Sequence, residues 1–222
     1  MLKACTLIRR KKGMSIKTFQ TYWRNTHADI VRKLPLVKKY VQSHPLINSY
    51  DKNKLPYDGL AEIWVENTDA LRTLADTKEY KDVAADESNF IDSQNTELLL
   101  TDEHIIKDGI VPTLGVKKIE FVKKNSELEV EEFQHYWKNI HGLKATDMHN
   151  IRSYTQSHTK KSGYKRSPLP RWDGIAITWF DSLDAMGKTT GVLDGLRSHD
   201  DGIELIQSDE TSSIITSEHV IV

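Results

Sequence analysis

Apolar and polar positions along the chain read as two rounds of the same elements. Residues 2–9 form a short apolar run ended by Arg9, Arg10, Lys11, Lys12 and Gly13, the pattern of a strand and a turn. Met14-Ser15 then opens a helix, with Ser15 as its N-cap. Phe19, Tyr22, Trp23, Thr26, His27, Ile30, Val31 and Leu34 recur at helical spacing and form one broad apolar stripe. Pro35 stops that helix. From Leu36 to His44, Tyr40, Gln42 and His44 alternate with Val41 and Ser43, and period two predicts a strand. Pro45 to Tyr57 is rich in Asn, Asp and Pro and reads as a loop or wide hairpin. Gly59–Val65 forms the second strand of that pair. Thr68 or Asp69 caps a helix through Leu71, Leu74 and Ala75, and a polar helical or irregular stretch runs to about Asp92. Leu98–Ile106 closes the round.

The second round follows 114 positions later. Phe19-Gln20-Thr21-Tyr22-Trp23-Arg24-Asn25-Thr26-His27 is answered by Phe133-Gln134-His135-Tyr136-Trp137-Lys138-Asn139-Ile140-His141. Residues 14–44 and 128–158 align without a gap and share ten of 31 positions, where unrelated stretches would share about two. After one insertion the offset becomes 115, pairing Asp58-Gly59 with Asp173-Gly174 and Glu103-His104 with Glu218-His219. A period of this length is that of a small domain rather than a solenoid. Two units are expected, 1–109 and 110–222, each strand–helix–strand–strand–helix–strand. Each such ferredoxin-like βαββαβ unit covers one sheet face with helices and leaves the other apolar. The fold class expected is therefore α+β, two tandem units packed sheet-on-sheet as an intramolecular pseudo-dimer.

Composition bounds the function. Of 222 residues, 38% are hydrophobic and 28% charged, with net charge −1, so nothing draws the chain globally to nucleic acid or membrane. The single cysteine, Cys5, lies in an apolar run and reads as a buried thiol; it excludes an internal disulfide framework and a cysteine-rich zinc site. No apolar stretch approaches the ~20 residues of a membrane span, and no signal-peptide core is visible. A cytoplasmic protein is expected.

Three motifs in order resemble the EthD family: Phe19-x-x-Tyr22-Trp23-x-x-x-His27, the strand Tyr57-Asp58-Gly59-Leu60-Ala61-Glu62-Ile63-Trp64, and Thr101-Asp102-Glu103-His104. Each recurs in the second half, through Tyr136, Trp137 and His141, then Trp172–Trp179, then Ser217-Glu218-His219. The resemblance covers nearly the whole chain and implies a dimeric α/β barrel with a helix–sheet pocket in each unit. It also implies a small hydrophobic, aromatic or polyketide-like ligand. Relatives are cofactor-free dehydratases, cyclases and isomerases, or accompany an oxidative ether-degrading system; more distant barrel relatives are monooxygenases or bind haem. No cofactor is the first expectation, and haem or flavin belongs to the oxidative alternative.

Candidate chemistry centres on His27 and His141, each four residues after a tryptophan on the buried stripe. An imidazole there either packs as a hydrogen-bonded core group or faces a pocket as general acid or base. Tyr40, Gln42 and His44, with Tyr154, Gln156 and His158, place a phenol, an amide and an imidazole on one strand face, lining a cavity or forming a satisfied polar layer between the two sheets, unless His44, just before Pro45, simply sits at the solvent end. Glu62 is either an acid–base partner of His27 or one half of a structural ion pair; its counterpart is Ile177, so only the first unit would be active if Glu62 is needed. His104 and His219 are pocket or structural groups. Tyr22, Trp23, Trp64, Tyr136 and Trp137 are the remaining candidates for ligand contact. The basic loop Lys160–Arg171 is a solvated hairpin tip, an attractor of carboxylate or phosphate, or an RNA contact. No His-x-x-x-His or Cys-x-x-Cys spacing points to a metal. A non-catalytic binding module is the other alternative, and further homodimerisation is left open.

Overall fold

The computed structural model describes residues 1–51, 54–189, 204–207 and 209–222. The first repeat contains β1 (Leu2–Ile8), α1 (Ile16–Tyr22), a π-helical turn (Trp23–His27), α2 (Ala28–Val31), β2 (Lys39–Pro45), β3 (Gly59–Val65), α3 (Thr68–Asp76), α4 (Lys78–Phe90) and β4 (Glu97–Lys107). The second contains β5 (Val116–Val122), α5 (Val130–Tyr136), a second π turn (Trp137–His141), α6 (Gly142–Thr146), β6 (Ser153–Thr159), β7 (Gly174–Phe180), α7 (Leu183–Gly187) and β8 (Ser212–Val220). The counterpart of α4 falls outside the described residues.

Local chemistry accounts for the helix starts. Ser15 Oγ accepts from the Thr18 amide, as the sequence predicts. The cap of α3 is Asn67, one residue before the expected position, because its side chain reaches the Ala70 amide. Thr77 caps α4, so the polar stretch after α3 is a 13-residue helix. It holds Val83, Asp86 and Phe90 on its buried side. The stripe expected to form one α-helix is interrupted by a π turn in both repeats. The wider turn carries Trp23 and His27, or Trp137 and His141, inward together.

The chain forms two compact units, and they exchange strand ends. Met1–Leu100 is joined by Thr216–Val222, and the other unit is Thr101–Ile215. In the first unit β3 lies between β1 and β2, and the end of β8 pairs with β2, His219 opposite Gln42. In the second, β7 lies between β5 and β6, and the end of β4 pairs with β6, His104 opposite Gln156. The expectation of two self-contained four-stranded sheets is thus modified. The strand order β1-β3-β2-β8-β5-β7-β6-β4 is closed, each strand having two hydrogen-bonded neighbours. This is the mixed α/β fold of the dimeric α/β-barrel class.

Register decides what each sheet face carries. Tyr40, Gln42, Ala61 and Ile63 share the helix-covered face of the first unit, where Phe19, Trp23, Val31, Leu74 and Phe90 complete the core. Lys3, Cys5, Glu62 and Trp64 share the opposite face. The repeated Asp-Gly has a physical cause in both units. Asp58 accepts from the Arg10 amide at 3.0 Å and Asp173 from the Lys124 amide at 2.9 Å, each fixing the turn after the first strand. Gly59 and Gly174 leave room for an indole edge. A Cβ at Gly59 would lie 2.3 Å from Trp23 Cζ3, and one at Gly174 would lie 2.4 Å from Trp137 Cζ3. No helix among the described residues is long and apolar enough to cross a membrane.

Candidate functional site

The first π turn and β2 build one interlocked network. Trp23 Nε1 donates to Tyr40 Oη at 3.0 Å. Gln42 Nε2 donates to the same hydroxyl at 3.2 Å and to the Trp23 carbonyl at 2.9 Å. Both amide hydrogens are then used, so Gln42 Oε1 acts as acceptor, and His44 Nε2, 3.0 Å away, donates to it. That bond fixes the neutral tautomer and leaves His44 Nδ1 as an acceptor. The imidazole stacks on Trp23, with centroids 4.3 Å apart and planes 17° apart, and His219 meets it edge-on at 4.7 Å. Burial, then the nearby His219 and Arg24, push the His44 pKa down to about 3. His219 is lowered less far, by burial and Arg24, with Glu218 pulling it back up.

The second unit repeats this network part for part. Trp137 Nε1 donates to Tyr154 Oη at 3.1 Å, Gln156 Nε2 to the Trp137 carbonyl at 2.8 Å, and His158 Nε2 to Gln156 Oε1 at 2.9 Å. His158 stacks on Trp137 at 4.4 Å, and His104 takes the edge position at 4.6 Å. His158 is also pushed down to about 3 by burial and by His104 and Lys138. The polar face of the strand is therefore a hydrogen-bonded layer under the helix rather than between two sheets, and it is open at its histidine end. His104 and His219 each serve the unit that their strand end joins.

In the first unit His44 and His219 open onto a cavity of about 620 Å³, a size that suits a small molecule. Gln20, Arg24, Asn25, Ile47 and Ser217 complete most of its wall. An imidazole such as His219 can accept a proton from an acidic O–H or C–H, while the neighbouring His44 and the Arg24 guanidinium bind and stabilise the anion left behind. A larger hollow, about 910 Å³, lies along Arg9–Ser15. There the Arg9 and Arg10 guanidiniums already bond Leu55 O, Met14 O and Asp58, and no histidine or cysteine lines it.

His27 lies off the 620 Å³ cavity. Its Nδ1 is 2.8 Å from Asp86 Oδ2, and Asp86 Oδ1 accepts from Tyr22 Oη at 2.5 Å and from Asn89 Nδ2 at 3.2 Å. Burial lowers the His27 pKa while Asp86 draws it partly back up. Burial works to raise the pKa of Asp86, but hydrogen bonds from Tyr22, His27 and Asn89 outweigh it and the net shift is downward. The carboxylate beside His27 is therefore Asp86 and not Glu62. Glu62 points to the other sheet face, pairs with Lys3 at 2.8 Å and is closed from water. Trp64 is on that face too, under the Lys3 ammonium at 4.7 Å, and so cannot form an apolar wall with Trp23.

Sequence reasoning missed Asp86 because the polar run from Lys78 to Phe90 offers no motif. The available signal was the repeat itself: an offset of 115 sets Asp86 against Asp201, which lies outside the described residues. Glu87, also missed, is pushed up to about 7 by burial and the charge of Asp86. In the second unit His141 is buried near Tyr154, and Tyr136 meets His135 edge-on. Among the described residues no group of three or more His, Cys, Asp or Glu side chains could hold a metal ion.

Fold and site together define a single-chain α/β-barrel protein with a duplicated Trp–Tyr–Gln–His network. The EthD domain matches residues 11–94 and 125–192, and the chain belongs to the EthD family. An anthrone oxidase-like protein has a similar fold, with TM-score 0.66 and 10% identity over 99% of this chain and 93% of that one. A putative monooxygenase from Lactobacillus acidophilus NCFM gives 0.58 and 11% over 99% and 94%. A chlorite dismutase variant from Candidatus Nitrospira defluvii gives 0.52 and 8% over 97% and 91%. No curated protein matches the sequence.

Proposed function

We propose that the first unit binds a small, largely apolar, aromatic or polyketide-like molecule in the His44–His219 cavity and moves a proton on it without a cofactor. His219 Nδ1 or Nε2 takes the proton from an acidic carbon or hydroxyl and returns it at a second position, giving isomerisation, cyclisation or dehydration. His44 Nδ1 accepts a hydrogen bond from the ligand, and Trp23 holds the His44 ring in place. His27, oriented by Asp86, braces the π turn that carries Trp23. The pairing of His219 with an imidazole locked in one neutral tautomer carries this reading. A lone buried thiol such as Cys5 suits the reducing cytoplasm, where we place the activity.

The test uses 2-tetralone, an enolisable aromatic ketone, in D2O. Proton NMR should show its α-hydrogens exchanging at least tenfold faster with the protein than in buffer, within the range of general acid–base catalysis. That acceleration should vanish in folded His219→Ala. An acceleration that survives in His219→Ala overturns the assignment; binding without any acceleration supports a non-catalytic ligand-binding module. A second reading takes its cue from the neighbours named monooxygenase and anthrone oxidase-like. It makes the protein an oxidoreductase, or an accessory to one, and predicts oxygen uptake on an oxidisable aromatic ligand.

A further inference from the structure

We infer that the ligand of this cavity is an anion, and that the first unit alone takes it, one molecule per chain. The inference rests on the proposed binding site and adds the ligand's charge and its stoichiometry.

The repeat supplies an internal comparison. Buried parts of the two sites are the same, whereas the rims differ in charge. The first rim has Lys17, Arg24, Ile47 and Ser217, and no Asp or Glu lines the cavity. Glu218 alternates to the other face of β8, opposite Ser43 in the ladder. Neither Lys17 nor Arg24 has a carboxylate partner among the described residues. The cations therefore face a cavity in which His44 is held neutral and burial works against a charge on His219, and an anionic group is what would complete them.

At the corresponding positions the second unit has Glu131 for Lys17, Lys138 for Arg24, Lys161 for Ile47 and Asp102 for Ser217. Lys138 acts on His158 and His104 as Arg24 acts on His44 and His219, but the two lysines beside it are answered from within. Lys161 pairs with Glu131 at 2.9 Å and Lys160 with Asp102 at 2.5 Å. The two short 3-10 segments that begin at Ile47 and Lys161, Ile47–Ser49 and Lys161–Lys165, are entered with closely matching backbone angles. The difference is thus one of side chains on a shared frame. A carboxylate or phenolate approaching the second site meets two acids that the first lacks. One copy keeps the network as structure, and the other keeps it as a site.

The experiment is calorimetric titration of the full chain with 2-naphthoate and with its neutral isostere 2-naphthamide. The naphthoate should bind at about one molecule per chain and at least tenfold more tightly than the amide, with the margin shrinking as salt is raised. Arg24→Gln should abolish the preference for the acid. The double substitution Glu131→Lys with Asp102→Ser should raise the stoichiometry towards two. Equal affinity for acid and amide, or two sites in the unmodified chain, would overturn the inference while leaving the pocket itself standing. Failure of both probes to bind would overturn the pocket reading and the inference with it.

Discussion

The substitution His44→Phe separates a buried neutral imidazole from a merely stacked ring. Phenylalanine keeps an aromatic face on Trp23 but removes the group whose pKa folding lowers to about 3. The sign is fixed by proton counting. At pH 5 an unfolded chain, with histidine near 6.5, binds a proton that folded His44 refuses, so stability is full above ~6.5 and is lost as pH falls towards 3. Between pH 7 and 5 that linkage amounts to about 2 kcal/mol for one such histidine. Glu87 works the other way, since its raised pKa lets the folded state take up a proton first. The informative quantity is therefore the difference between wild type and variant. At pH 7 the variant should be less stable by ~1–3 kcal/mol, because Gln42 Oε1 loses its donor. By pH 5 the gap should close by about 2 kcal/mol. Urea unfolding followed by tryptophan fluorescence and far-UV circular dichroism at both pH values measures it. His158→Phe should behave alike. A gap that stays constant within ~0.5 kcal/mol would show that His44 is not kept neutral by folding, and the reasoning would fail.

Three further outcomes follow from packing and pairing. Gly59→Ala drives a Cβ into an indole pinned by Tyr40 and His44, and overpacking of that kind costs ~1–3 kcal/mol; an unchanged calorimetric Tm would refute the close approach. Glu62→Gln removes the carboxylate from buried Lys3 and should cost ~3–5 kcal/mol in urea unfolding. Its 2-naphthoate affinity should stay at the wild-type value, because Glu62 is on the other sheet face, and a lost affinity would put Glu62 back in the site. Asp86→Ala strips His27 and Tyr22 of their shared acceptor. The His27 titration observed by NMR should then move to lower pH, since burial would act unopposed; an unmoved titration would contradict the His27–Asp86 pair.

Much of this protein was readable from residue order alone. Period two over Tyr40–His44 and helical spacing from Phe19 fixed the element types, because those patterns follow from strand and helix geometry. The duplicated Phe–Tyr–Trp–His segment announced two EthD-like units, and the Asp-Gly pairs flagged positions that tertiary packing then explained. Ser15 could be named as a cap since capping is a contact between near neighbours in sequence.

The rest depended on contacts that no local pattern encodes. His27 and Asp86 are 59 residues apart and meet because α4 packs against the π turn. Glu62 looked like a partner for His27, yet strand register sends it to the opposite face with Lys3. His219 belongs beside His44, and His104 beside His158, only because β4 and β8 each end in the other repeat's unit. Sequence by itself determined the elements and their duplication. Tertiary structure decided which histidine meets which carboxylate, since side-chain facing and strand exchange are settled by long-range pairing rather than by any short stretch of chain.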